Sequence, residues 1–167
     1  MFKIETWENN PILRKVAEKV TDKNYSEVVK LGKKMIKYIK DPDNWGVWLA
    51  APQIWESINL LVVSLPKDWD DENFKTIMLI NTEILEYGKE TDLEEEWCLS
   101  LPNVKGKVKR PSMIKVTYMD EKKVKKTLIL EWLQARIVQH EFDHVIGKLF
   151  IDYLVSVYHQ RLKISKN

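Results

Sequence analysis

One six-residue stretch limits this chain more than any other: Gln139-His140-Glu141-Phe142-Asp143-His144. If the backbone there is helical, the two histidines four residues apart project from one face, one turn above each other. Imidazoles at that spacing can hold one divalent cation. Glu141 then lies beside the cation without having to be a ligand, where it can take a proton from water during hydrolysis. Two solvated helix histidines with an exposed glutamate between them would need no metal, and the pattern alone leaves that alternative open.

The 167 residues suit one domain, spanning 1–167, with a proper core. Twenty-seven basic residues against 25 acidic ones leave a net charge of +2, too near balance to predict direct contact with nucleic acid. The basic run Lys122-Lys123-Val124-Lys125-Lys126 follows Asp120-Glu121 and reads as a turn and a solvated strand face. No apolar run approaches the ~20 residues of a membrane helix. The start, Met1 to Glu8, has neither a signal-peptide core nor an arginine-rich transit character. The expectation is a cytoplasmic protein without a membrane partner, or an organellar one if a transit peptide has been removed. The single cysteine, Cys98, excludes an internal disulfide and is core filler, nucleophile or metal ligand.

Along the chain, Tyr25, Val28, Val29, Met35, Ile36 and Ile39 fall on one stripe of a 3.6-residue period. Asn24 is the predicted N-cap, and Lys30, Lys33, Lys34, Lys37 and Lys40 make the wet face. Gly46 to Gln53 is a short apolar segment whose Pro52 suits a strand edge. Ser57–Val63 and Thr76–Ile80 read as strands, and Ile84–Leu93 looks extended. Ser112–Asp120 and Val124–Leu130 read as a hairpin. A helix from about Glu131 to Val145 carries the histidines, and Gly147 stops it. A short terminal helix is expected over Tyr153–Lys163, with His159 as a surface residue. The architecture is α+β: short antiparallel strands and hairpins around one long metal-binding helix.

Three stretches line up in order: Gly46 with Ala50-Ala51-Pro52-Gln53, Glu96-Trp97-Cys98-Leu99-Ser100, and the histidine motif. The arrangement resembles the peptide deformylases, which carry G-x-G-x-A-A-x-Q, E-G-C-x-S and Q-H-E-x-D-H. The likeness extends through Ile12–Ala17 and Gly147–Asp152. It implies a deformylase-like fold and removal of the formyl group from N-formylmethionyl peptides and nascent proteins at the ribosome, by a monomer. It implies one divalent metal per chain, held by Cys98, His140 and His144. The ion would be Fe2+ in cells, with Zn2+, Ni2+ or Co2+ also accepted. Glu141 would be the general base and then the acid to the leaving amine. Gln53 and the backbone N–H of Leu99 would stabilise the oxyanion. Asp143, paired with Arg110, would orient the ligand helix, and backbone near Gly46 would receive the substrate peptide as an added strand.

Three positions depart from the family pattern. Trp48 and Trp97 replace glycines that flank the substrate groove, and Thr82 stands where proline is frequent. Two indoles there would either line and narrow the substrate site or point outward as packing. Two other readings stand beside an active enzyme: a metal-binding protein of this kind with altered specificity or little activity, and a different metallopeptidase. A cysteine ligand speaks against the last. Retention of Glu141, which metal binding alone does not require, speaks against the second.

Overall fold

The computed structural model describes residues 2–44 and 48–158. The architecture is α+β, as the sequence predicts. Helix α1 (Tyr25–Ile39) is followed by strands β1 (Trp48–Ala50), β2 (Leu60–Leu65), β3 (Lys75–Tyr87), β4 (Thr91–Cys98), β5 (Leu101–Pro111), β6 (Met113–Met119) and β7 (Lys125–Glu131). Helix α2 (Trp132–Val145) and strand β8 (Leu154–Tyr158) complete it. The strands form two antiparallel sheets, one in the order β1-β2-β3-β6-β7 and one in the order β4-β5-β8.

The five-stranded sheet is covered on both faces. Leu61 and Val63 of β2 pack with Ala135, Ile137 and Val138 of α2. Leu60 and Val62, pointing the other way, pack with Val28, Met35 and Ile39 of α1. A strand buried on both faces reads as a continuous apolar run, which is why this one was legible. A third cluster, Leu13, Cys98, Leu101, Val108, Leu149 and Phe150, seats the small sheet against the turn after α2.

Helix α1 buries Tyr25, Val28, Gly32, Met35 and Ile39 and exposes its lysines. Asn24 stands at the N-cap position but does not cap: its Oδ1 accepts from the N–H and hydroxyl of Thr21 instead. The basic run after Asp120 is exposed, and Asp120 closes its turn by accepting from the N–H groups of Lys122 and Val124. Gly147 ends α2 at φ +72°, where a Cβ would come within 2.5 Å of the Arg14 carbonyl oxygen. Glycine is required there by both backbone and space.

Three expectations are corrected. Residues 154–158 form a strand paired with Lys105–Val108 of β5, not the start of a helix; the rest of that expected helix, with His159, lies outside the described residues. The eleven residues of β5 were not anticipated, because its lysines and its prolines hide an alternation in which Gly106, Val108 and Arg110 turn inward. The extended stretch Ile84–Leu93 is two strand ends joined by a turn, with β3 ending at Tyr87 and β4 starting at Thr91. At 13 and 11 residues, β3 and β5 are not short.

Candidate metal centre

Strand β4 and helix α2 meet at the site. On β4, Glu96 and Cys98 are two residues apart and both buried, so they face the helix, while Trp97 between them faces out. On α2, Arg136, His140 and His144 repeat every four residues and present one face to β4. The ligand atoms of Cys98, His140 and His144 all lie within 4.8 Å of one another. The Cys98 sulfur is 3.3 Å from Nε2 of His144. His140 directs Nδ1 to Glu96 Oε2 at 2.9 Å, which leaves Nε2 for the centre. One cysteine sulfur and two imidazoles, all buried, are a donor set that suits a divalent transition metal.

The two imidazoles are shifted in opposite directions. Burial alone would lower the His140 imidazole, but its hydrogen bonds to Cys98 and Glu96 raise it well above the usual value. His144 is lowered, by burial first and then by the His140 charge. Glu141 is 1% exposed, and neither carboxylate oxygen has a hydrogen-bond partner among the described residues. Burial pushes its carboxyl up to about 7; His140 opposes the shift, and the Asp143 and Glu96 carboxylates add to it. An unpartnered buried carboxylate beside a cation site is placed to accept a proton rather than to build the fold.

Gln53 sits in the single 3-10 turn Ala51–Ile54 that follows β1. Its Oε1 accepts from the Ala50 N–H at 2.8 Å. That bond turns Nε2 toward Ser100 Oγ at 3.2 Å and Cys98 Sγ at 3.5 Å. A cavity of about 10 Å³ is enclosed by Trp48, Gln53, Trp97, Cys98, Leu99, His140 and Glu141, room for about one water molecule. Cys98, His140, Glu141, Gln53, Leu99 and the inner edges of both tryptophans thus line one small space, with His144 beside Cys98. Neither Trp48 nor Trp97 has a positive φ; both sit on strands, so the indoles replace glycine without backbone strain. Gly46 lies outside the described residues.

Arg110 and Asp143 pair as expected, at 2.8 Å from Nη1 to Oδ2, but within a larger network. Arg110 also donates Nε and Nη2 to the two Glu96 oxygens at 2.6 and 2.9 Å. Arg136 donates Nη1 to Glu96 at 2.6 Å and Nη2 to Asp92 at 2.6 Å. Burial would raise the Glu96 carboxyl; the donors from Arg110 and His140 reverse this and hold it well below the usual range. Glu96 and Arg136 were not singled out from sequence. Their signal was spacing: Glu96 is two residues before Cys98 on a strand, and Arg136 is one helical turn before His140. A third residue, Trp69, lies in the loop between β2 and β3 and approaches Trp48 with ring centroids 6.4 Å apart.

A family model described as polypeptide deformylase matches residues 1–160. The chain is 42% identical over 151 residues to a peptide deformylase of Prochlorococcus marinus, covering 88% of this chain and 70% of that protein. It is 41% identical over 154 residues to one of Brachyspira hyodysenteriae, covering 90% and 80%. Among solved structures, it is similar to a class I type b peptide deformylase of Acinetobacter baumannii bound to Met-Ala-Ser. That match has a TM-score of 0.80 and 30% identity, covering 92% of this chain and 98% of the other. A probable peptide deformylase of Synechococcus phage S-SSM7 also gives a TM-score of 0.80, with 33% identity and coverage of 92% and 100%. With this family match over residues 1–160 and these relatives, the chain belongs to the peptide deformylase family.

Proposed function

We propose that this enzyme removes the formyl group from N-terminal formyl-methionine with one divalent cation held by Cys98, His140 and His144, and with Glu141 as proton carrier. The observation that carries the reading is the pairing of three convergent buried ligand atoms with an unpartnered buried carboxylate next to them. When bound, a divalent cation there acidifies water and polarises the formyl oxygen. Glu141 takes the proton of the attacking water and returns it to the departing amine. Gln53 Nε2 and the Leu99 N–H donate to the oxygen that becomes negative, and the Ala50–Gln53 bond holds that donor in place beforehand. Glu96, locked by two arginines, fixes the His140 ring, and Asp143 draws Arg110 toward α2.

The substrate peptide runs as an extra strand between β1 and β4, beginning near Gly46. Both strands are outermost in their sheets and carry Trp48 and Trp97 beside the site. Those two indoles are the walls that set substrate preference. The donor set accepts Fe2+, Zn2+, Ni2+ or Co2+, with Fe2+ the ion in cells. The reading extends to a monomer acting in the cytoplasm on nascent chains at the ribosome, without nucleic-acid contact of its own. Among the described residues, no helix is long and apolar enough to cross a membrane.

The test is formate release from formyl-Met-Ala-Ser by anaerobically purified protein, with metal analysis of each variant. Cys98→Ala loses the bound metal. Glu141→Ala keeps metal and fold but loses roughly 10²–10⁴ in turnover. Full metal occupancy in the first variant, or near-normal turnover in the second, refutes the corresponding role.

A further inference from the structure

Beside the cation site lies a second cavity of about 30 Å³, whose apolar wall is Trp48, Trp69, Trp97, Leu133 and Ile137, with His140 and the charged Glu95, Glu96 and Arg136 completing the lining. It holds about two water molecules. For a methionine side chain, with four heavy atoms in line, that space is tight. Leu133, Arg136, Ile137 and His140 belong to helix α2, Glu95, Glu96 and Trp97 to β4 and Trp48 to β1, so every lining residue but one stands on a regular element. Trp69 is the exception. It is 73% exposed, sits in the loop between β2 and β3, and meets the rest of the wall through its ring contact with Trp48. The space beneath it is a slot lined mostly by indoles and the aliphatic Leu133 and Ile137, with Glu96 and Arg136 tied to each other at its edge. That shape and surface favour a long unbranched apolar chain, and sulfur against an aromatic ring adds to the fit.

We propose that Trp69 is a specificity gate: the substrate's first side chain, when long, enters by lifting this indole off Trp48. The proposal rests on the deformylase reading only for the direction in which the peptide lies. A short first side chain leaves the pair closed. A methionine side chain must break it, and the closed form then lowers apparent affinity by the fraction of protein that is open. Removing the indole therefore helps long side chains and not short ones, by about two- to tenfold, the scale of one aromatic pair.

The test compares wild type, Trp69→Phe and Trp69→Ala at matched metal content on formyl-Met-Ala-Ser and formyl-Ala-Ala-Ser. Trp69 is exposed, so neither variant is expected to unfold. In Trp69→Ala, kcat/KM for the methionine peptide rises about two- to tenfold, chiefly through KM. The alanine peptide stays within about twofold, and Trp69→Phe falls between. Calorimetric binding of the deformylated peptides Met-Ala-Ser and Ala-Ala-Ser gives the same selectivity without turnover. Equal gains for both peptides, no gain, a loss for the methionine peptide, or no detectable binding of Met-Ala-Ser to either protein overturns the gate. If no protein releases formate but Trp69→Ala selectively gains affinity for Met-Ala-Ser, the reaction assignment fails and the gate stands.

Discussion

Glu141 shows how function and stability pull apart at one residue. Its two oxygens are buried without partners, and its carboxyl is raised from 4.5 to about 7. A raised folded-state value means that ionisation opposes folding. Below pH 4.5 the group is protonated in both states and costs nothing. The penalty builds as pH rises through the interval and is complete above about 7. In metal-free protein at pH 8, Glu141→Gln should therefore be more stable than wild type by up to about 3 kcal/mol. The gain should vanish near pH 4. Denaturant midpoints in excess chelator at both pH values check this; a gain that does not change with pH would refute it. The proposed proton chemistry needs the same carboxylate that the metal-free fold would be better without.

At the scale of elements, the ligand helix is held by charge as well as by packing. Arg110 on β5 and Arg136 on α2 both donate to Glu96 on β4, so three elements share one carboxylate. Asp92 and Asp143 complete the set of partners. Replacing one member leaves its partners buried and unpaired, which costs more than the pair itself contributes. Arg136→Met should lower stability by about 3–5 kcal/mol. It should also weaken metal affinity by roughly 10–100-fold, because Glu96 no longer fixes His140 firmly. Chemical denaturation and competitive metal titration read the two effects separately. An unchanged metal affinity would mean that Arg110 alone holds Glu96.

For the molecule as a whole, the cation site joins pieces distant in sequence: the turn after β1, the end of β4 and the middle of α2. A ligand that binds only the folded state stabilises it by mass action, about 4 kcal/mol when the free metal is 1,000 times its Kd. Chelation should lower Tm by roughly 10 °C for a chain of this size. Cys98→Ala should already lie near the chelated value and respond little to chelator. Equal chelator shifts in the two proteins would show that Cys98 is not a ligand. The sequence by itself determined the α+β class, the helix that carries both histidines, the glycine that ends it and the motifs whose Cys98, His140 and His144 the fold brings together. Each is written locally, in a period of 3.6 residues, in a left-handed φ, or in side-chain types at fixed spacing. It did not disclose β5 or β8, because strand pairing is decided by partners far along the chain and lysines mask the alternation of β5. Nor did it disclose that Glu96, the last of three successive glutamates, would be the buried one. Burial of a charge depends on the arginines that meet it, and those arrive from β5 and α2. The tryptophans show the same division. Trp48 and Trp97 stood out as departures from a motif, whereas Trp69 belongs to no motif and gained its place only when the β2–β3 loop brought it onto Trp48.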